Sequence, residues 1–291
     1  MAKLTSLRYD PDRVFEVETT DVEYRHDGEK SWLATIYQPK GTGPFPALLD
    51  VHGGAWNRGE RGNNKVMDAA LAASGIVVAA IDFRIAPQHP YPAQVIDTNY
   101  ATRWLKLHAR DFNAEPESVG ALGSSSGGHT VMLSALRPGD SRYSELSLPG
   151  GEAVDATLLY VLCTWPVLDP YSRYLYSQEV GNDRLAASSE AYFLTQDAMK
   201  EGNPQQILER REHVHLPPTI IIQGTNDDNV PMSIPERFTQ AYRAMGGQIQ
   251  LEVFPGMPHG FGNTPGPESD RALGLMKAFV ARQLTGAAAA V

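Results

Sequence analysis

The sequence predicts an α/β fold in which helices flank a mainly parallel sheet of eight strands. Three observations support this: short apolar runs recur along the chain, helical segments separate them, and an alternating hairpin precedes them. Short runs that are apolar throughout are typical of parallel strands that are covered on both faces. The chain has 291 residues, of which 42% are hydrophobic and 20% charged, so it can bury a large core.

The strands can be placed in order along the chain. Residues 15–19 and 32–37 alternate between apolar and polar types, and Asp27-Gly28 lies between them, which predicts an antiparallel hairpin. Six apolar runs further along the chain supply strands three to eight of the sheet. These runs are residues 47–51, 76–81, 119–122, 156–162, 219–222 and 250–254.

Helical spacing fills the gaps between the strands. Ile96, Tyr100 and Trp104 form a stripe four residues apart, and similar stripes occur within residues 66–73 and 273–280. Residues 164–216 break the alternation, because more than fifty polar and tyrosine-rich residues separate two strands there. We expect a single domain of residues 1–291 with a helical cap inserted at about 164–216.

Charge and composition exclude several classes of partner. The net charge of −9 argues against nucleic acid or an anionic membrane surface, and no apolar stretch has transmembrane length. The first residues lack the apolar core of a signal peptide, and the single cysteine, Cys163, excludes an internal disulfide. We therefore expect a cytoplasmic protein that acts on a small molecule without a metal or cofactor. A homodimer is compatible with this interpretation.

The stretch with the clearest chemistry is residues 119–128. A short strand leads into Gly123-x-Ser125-x-Gly127, and a helix-compatible segment, residues 129–136, follows directly. This is the form of a nucleophile elbow, a sharp strand-to-helix turn that exposes a serine hydroxyl. Glycine is needed two residues to either side of the serine because neighbouring backbone comes too close for side chains.

Two further segments extend the pattern. Val51-His-Gly-Gly-Ala-Trp56 follows the third strand, and Asp82-Phe-Arg-Ile-Ala-Pro87 follows the fourth. Together with the elbow they resemble the α/β-hydrolase superfamily, and within it carboxylesterases of the hormone-sensitive-lipase type. The chain departs from that type at Ser124 and Ser126, where the usual elbow reads Gly-Asp-Ser-Ala-Gly-Gly. The loop at 224–231 is more similar to that of prolyl-oligopeptidase and dienelactone-hydrolase relatives.

The resemblance implies a catalytic triad in the chain order serine, acid, histidine. Ser125 is the nucleophile. His259 fits the base because it follows the eighth strand and precedes the last helix. His213 and His215 precede the strand at 219–222, so no acid-bearing strand-end loop lies between them and Ser125. Their His-x-His spacing occurs in metal sites, but without nearby cysteines or spaced carboxylates a polar loop is the favoured interpretation.

The acid of the triad is either Asp227 or Asp228, which both follow the strand at 219–222. We predict Asp227, because the resembled families place the acid three residues after the strand's closing glycine and four before a proline. Asp228 is the alternative. The pattern Ser233-x-x-Glu236 predicts a capping box and a helix whose N-terminus would favour the Asp228 charge without any catalytic duty.

The same resemblance implies an oxyanion hole and suggests pocket walls. The backbone N–H groups of Gly53, Gly54 and Ser126 are the predicted donors to the oxyanion. Trp56 and Trp165 are the predicted substrate-binding residues, although Trp56 also suits a core position.

The predicted function is hydrolysis of carboxylic esters of small acyl groups through an acyl-serine intermediate. Amide or formamide hydrolysis, as in kynurenine formamidases, and sugar-ester or feruloyl ester hydrolysis remain alternatives. A non-catalytic hydrolase fold that binds a small molecule is a remote alternative.

Overall fold

The structure, a computed structural model, describes Leu7, residues 9–151 and residues 153–285. Within these residues eight strands form one sheet. They are β1 (Val17–His26), β2 (Ser31–Pro39), β3 (Ala47–Val51), β4 (Val77–Ile81), β5 (Gly120–Ser124), β6 (Val161–Thr164), β7 (Thr219–Gly224) and β8 (Ile249–Phe254). The helices are α1 (Lys65–Ala73), α2 (Ala93–His108), α3 (Ser126–Leu136), α4 (Pro170–Glu179), α5 (Asp183–Phe193), α6 (Gln196–Glu201), α7 (Pro204–Glu209), α8 (Ser233–Ala244) and α9 (Pro267–Leu284).

The topology confirms the predicted α/β-hydrolase fold. The strand order is β1-β2-β4-β3-β5-β6-β7-β8, and the pairings from β4 to β8 are all parallel. The N-terminal hairpin of β1 and β2 is antiparallel, and β2 also pairs with β4 in an antiparallel arrangement. Asp27 closes the hairpin, because its carboxylate accepts hydrogen bonds from the Lys30 N–H and the Trp32 indole N–H. The carboxyl ends of β3, β5, β7 and β8 therefore meet at one edge of the sheet.

Helices cover both faces of the sheet. Leu48 and Leu49 are neighbours on β3 but belong to different core clusters, as the two-residue period of a strand requires. One cluster includes side chains of α1 and α9, and the other includes side chains of α2, α3 and α8. The strands between are fully buried, which explains their nearly continuous apolar sequences.

The predicted sixth strand was wrong in its starting point. Residues 156–160 are largely apolar but lie outside the sheet, and β6 begins only at Val161. The cause lies in the neighbours, since Val161 pairs with Ala121 on β5 and with Thr219 on β7, close to the start of each strand. Residues before Val161 consequently have little neighbouring strand to pair with.

Four helices, α4 to α7, occupy the segment between β6 and β7 where the insertion was predicted. Each begins with a polar side chain that accepts a hydrogen bond from a backbone N–H of the first turn. These capping residues are Asp169, Asn182, Thr195 and Asn203. The segment therefore has its own strong helix-start signals, which explains how it leaves the strand–helix alternation.

The predicted capping box at Ser233 was wrong. Helix α8 has Met232 at its N-cap position, and no side chain caps it. Ser233 is already the first helical residue. The Glu236 N–H, which a serine cap at this position would bind, donates instead to the Met232 carbonyl at 3.2 Å.

Candidate active site

Ser125 occupies a strained turn between β5 and α3. Its backbone has φ 54° and ψ −119°, a region that non-glycine residues rarely adopt. Neighbouring backbone fixes this conformation, since the Ser125 N–H donates to the Thr164 carbonyl at 2.9 Å and the Ser125 carbonyl accepts from Val167 N–H at 3.0 Å. The end of β6 thus holds the elbow in place.

Close backbone contacts explain both glycines of the elbow. A Cβ atom at Gly127 would lie 2.0 Å from the carbonyl oxygen of Val51, and one at Gly123 would lie 2.7 Å from the carbonyl oxygen of Gly127. Both contacts are with backbone, which cannot move aside as a flexible side chain can. The elbow therefore packs directly against the end of β3, from which the glycine loop at 53–54 continues.

A continuous hydrogen-bond chain links three of the predicted residues. The Ser125 hydroxyl lies 2.9 Å from His259 Nε2, and His259 Nδ1 lies 2.8 Å from Asp227 Oδ2. Asp227 is buried and His259 is partly exposed. A carboxylate on Nδ1 favours the tautomer whose Nε2 lone pair faces the serine, so the imidazole can accept the serine proton.

Of the two candidate acids, Asp227 is the one in contact with His259. Its Oδ1 accepts hydrogen bonds from the backbone N–H groups of Asn229 and Val230, and its Oδ2 accepts a further bond from the Gln223 amide. Asp228 is exposed. Gln223 was missed by the sequence analysis, although its position near the end of β7, four residues before Asp227, is a usable signal.

The loop after β3 lies against the elbow. A Cβ atom at Gly53 would lie 2.9 Å from the Cβ atom of Ser125, so the loop backbone passes next to the nucleophile. The Trp56 N–H donates to Ser126 Oγ at 3.2 Å, which ties the loop to the first turn of α3. The structure thus brings Gly53, Gly54 and Ser126 together around Ser125.

A small pocket of about 160 Å³ opens at this point. Its lining includes Ser125, His259 and both glycines of the loop, and Trp165 forms one wall. The Trp165 indole packs against the His259 ring with centroids 6.2 Å apart. Most of the remaining lining residues are polar. They are Arg58, Asn63, Asn64, Ser124, Asn229 and Asn263, together with Ala55 and Gly260.

Comparison with known proteins assigns the chain to a family. The BD-FAE family model matches residues 34–242, which is well over half of the chain. The chain belongs to the BD-FAE family.

Relatives of this BD-FAE-family chain include ester hydrolases. It is 27% identical to the probable carboxylic ester hydrolase LipM of Mycobacterium tuberculosis, over 83% of the chain and 56% of LipM. It is 28% identical to esterase LipC of the same organism, over 76% of the chain and 54% of LipC. The chain thus spans about half the length of these relatives.

Solved structures share the fold. A thermophilic esterase from Thermogutta terrifontis, Est2 with propionate bound, superimposes with a TM-score of 0.71 at 25% identity. The match covers 95% of the BD-FAE-family chain and 97% of Est2, so the two chains correspond over nearly their full lengths.

Trp56 does not line the pocket of the BD-FAE-family chain, and its prediction as a substrate-binding wall was wrong. The side chain is only 1% exposed, and its ring stacks on Tyr192 of α5 with centroids 5.3 Å apart. Its backbone follows the glycine loop with a left-handed φ of 64°, and its ring packs inward beneath the inserted helices. The core alternative for this residue is the one the structure shows.

The remaining histidine candidates lie apart from the site. His213 and His215 are exposed, and the described residues contain no group of three or more metal-ligating side chains that could hold a metal ion. His52 is buried in the turn after β3, where its Nδ1 donates to the Gly53 carbonyl. Across the described ranges, no helix has the length and apolar character needed to cross a membrane.

Proposed function

We propose that this chain is a serine hydrolase that cleaves carboxylic esters through an acyl-enzyme intermediate. One observation carries the proposal: the unbroken contact from Ser125 through His259 to Asp227, set on a strained elbow. A serine hydroxyl is a weak nucleophile by itself, and an adjacent base that a carboxylate orients is the usual means of activating it. The esterase relatives support the same reaction and do not favour the amide alternative.

The reaction follows from the geometry. His259 Nε2 accepts the Ser125 proton while Oγ bonds to the ester carbonyl carbon, and the carbonyl oxygen takes up the negative charge. The N–H groups of Gly53, Gly54 and Ser126 stabilise that oxyanion, each by about 3 kcal/mol. The bond to the alcohol oxygen then breaks, and His259 returns the proton to the departing alcohol. Water attacks the acyl-serine with the same base, and the carboxylic acid leaves.

The size of the pocket supports small acyl groups as substrates. A pocket of about 160 Å³ with Trp165 as one wall suits an acyl chain of a few carbons. The Est2 structure with propionate bound points to the same size class. In a series of p-nitrophenyl esters, kcat/KM is expected to peak between acetate and butyrate. A peak at octanoate or longer would contradict this part of the proposal.

Turnover of p-nitrophenyl acetate by Ser125→Ala tests the mechanism, together with labelling by a fluorophosphonate probe. The variant is expected to lose both, because only an activated serine reacts with the probe. Ser134→Ala is the matched control, since this buried serine lies on the same helix α3 and its hydroxyl has no hydrogen-bond partner among the described residues. Wild-type protein that neither turns over the ester nor takes the label would favour a non-catalytic binder instead.

A further inference from the structure

The catalytic pocket has a positively charged rim, although the protein as a whole carries a net charge of −9. Arg58 lines the pocket together with Ser125 and His259. Its backbone is held by a hydrogen bond from its N–H to the Gly54 carbonyl at 3.2 Å, so the residue stays next to the glycine loop. Among the described residues, no carboxylate forms an ion pair with the Arg58 guanidinium.

A second arginine, Arg173, adds positive charge from the protein interior next to the pocket. Arg173 of α4 is 1% exposed, and its guanidinium lies over the Trp56 ring, 5.0 Å from the centroid. Its hydrogen bonds are to neutral groups, the Ser189 hydroxyl at 3.2 Å and the Asn229 side-chain oxygen at 3.4 Å, and Asn229 lines the pocket. Its Nε has no hydrogen-bond partner within the described part of the chain.

Buried arginines are usually paired with an acid, because an uncompensated charge in the interior is costly. Here the neighbouring charges are of the same sign. Burial, with a smaller contribution from the charge of Arg58, lowers the pKa of Arg173 to about 10. Burial also lowers the pKa of Arg58, and the charge of Arg184 adds to that effect.

Among the described residues, the acid of the triad forms no ion pair with either arginine. Both oxygens of Asp227 already accept hydrogen bonds from His259, Gln223 and two backbone N–H groups. The positive charge at the rim therefore has no partner of its own within the described residues. A bound anion would supply the missing counter-charge.

We propose that the substrate carries a negatively charged group besides its ester bond, and that Arg58 binds this group at the rim of the pocket. Carboxylates suit a guanidinium well, because its planar N–H groups can donate two parallel hydrogen bonds to them. Arg173 and Arg184 favour the same anion through their charge, while Asn229 and Asn63 offer further donors in the lining. The inference rests on the proposed ester hydrolysis and adds the substrate class.

Matched ester pairs test the inference, because a carboxylate and a carboxamide have nearly the same shape but differ in charge. Monomethyl glutarate and methyl glutaramate place the group in the acyl part. O-acetylglycolate and O-acetylglycolamide place it in the alcohol part. The ratio of kcat/KM for the charged ester to that for its neutral partner is expected to be about tenfold or more in at least one pair, since hydrogen bonds between charged groups are the stronger ones.

Arg58→Gln should bring that ratio down towards unity, and Arg58→Lys should restore part of it. Arg110→Gln is the control, because Arg110 is exposed near the end of α2 and the variant makes the same charge change away from the pocket. The preference should also weaken as salt is raised, because dissolved ions screen exposed charges.

A ratio near unity in wild type, or a ratio that Arg58→Gln leaves intact, would overturn the inference. Turnover of p-nitrophenyl acetate, measured alongside, distinguishes failure of the proposed substrate class from failure of the proposed ester hydrolysis. If the wild type hydrolyses that ester and shows no preference for charged esters, or hydrolyses none of the four, only the substrate class fails. If it does not hydrolyse p-nitrophenyl acetate either, the proposed function fails as well.

Discussion

The indole N–H of Trp56 donates a hydrogen bond to Nδ1 of His129 at 3.1 Å, and both rings are buried. The other ring nitrogen of His129 donates to the Gly202 carbonyl at 2.8 Å. Since Nδ1 must accept and Nε2 must donate, the ring is held neutral in one tautomer. The two hydrogen bonds of His129 join the loop after β3, helix α3 and the inserted helices. Protonation of His129 would therefore weaken the contact between these segments.

Acid should therefore destabilise the protein through His129. Burial lowers the pKa of His129 from 6.5 to about 4, so the unfolded chain takes up a proton before the folded one does. Stability from this group is full above pH 6.5 and is lost as pH falls towards 4, by about 3 kcal/mol at most. Urea unfolding of wild type and His129→Gln between these pH values checks this. The variant should show the shallower dependence on pH, and equal slopes would contradict the assignment.

A buried pair of aspartates should act in the opposite direction. Asp50 on β3 and Asp68 on α1 are fully buried. The carboxyl oxygens of Asp68 have no hydrogen-bond partner among the described residues, while the Asp50 carboxyl accepts one bond from the Asn64 amide. Burial raises the pKa of Asp50 to about 7, and burial together with the Asp50 charge raises the pKa of Asp68 well above its usual range. Both carboxyls are consequently protonated in the folded protein at mildly acidic pH.

The stability that Asp50 contributes is full below the unfolded pKa of 3.8 and is lost as pH rises from there through about 7, and the raised pKa of Asp68 acts in the same direction. Asp68→Asn keeps the shape and removes one titrating group, so its unfolding free energy should fall less between pH 5 and 8 than that of wild type. Chemical unfolding at the two pH values measures this. Asp197→Asn is the control, because Asp197 is exposed at the start of α6. A wild-type stability that does not fall in this range, once the His129 contribution is subtracted, would argue against a protonated pair.

Gly127 should not tolerate a side chain. A Cβ there would meet the Val51 carbonyl at 2.0 Å, so Gly127→Ala must push the elbow away from the loop after β3. Overpacking of this kind typically costs about 1–3 kcal/mol, and here it also moves Ser125 relative to the glycine loop. Gly139→Ala is the matched control, since a Cβ at that position meets nothing within 4 Å. Melting temperature and p-nitrophenyl acetate turnover should both fall in Gly127→Ala alone, and a fully active variant would show that the elbow can shift without loss.

Local patterns explain how much of the molecule the sequence could predict. The apolar runs, the hairpin turn at Asp27 and the glycines around Ser125 are set by neighbours along the chain, so their sequence carries the information. The start of β6 depends instead on where β5 and β7 begin. The apolar residues of the segment itself carry no information about those positions.

Long-range packing explains what the sequence could not predict. Trp56 follows the glycine loop, yet its ring is buried because Tyr192, far along the chain, stacks on it. The charged rim has the same origin, since Arg58 and Arg173 come from separate segments and only folding brings their charges together. A single sequence marks such residues as ordinary surface or core positions.

The two neighbouring aspartates after β7 offer the sharpest comparison at the site itself. Asp227 accepts from His259 Nδ1 and from two backbone N–H groups, whereas Asp228 is exposed. Asp227→Asn keeps the size of the side chain but removes the charge that supports the imidazolium formed during the reaction. Turnover of p-nitrophenyl acetate is expected to fall by up to about four orders of magnitude in Asp227→Asn. Asp228→Asn should stay near the wild-type rate, and circular dichroism should show both variants folded. If Asp228→Asn is instead the inactive variant, the hydrogen bond between His259 and Asp227 is not the one that catalysis uses.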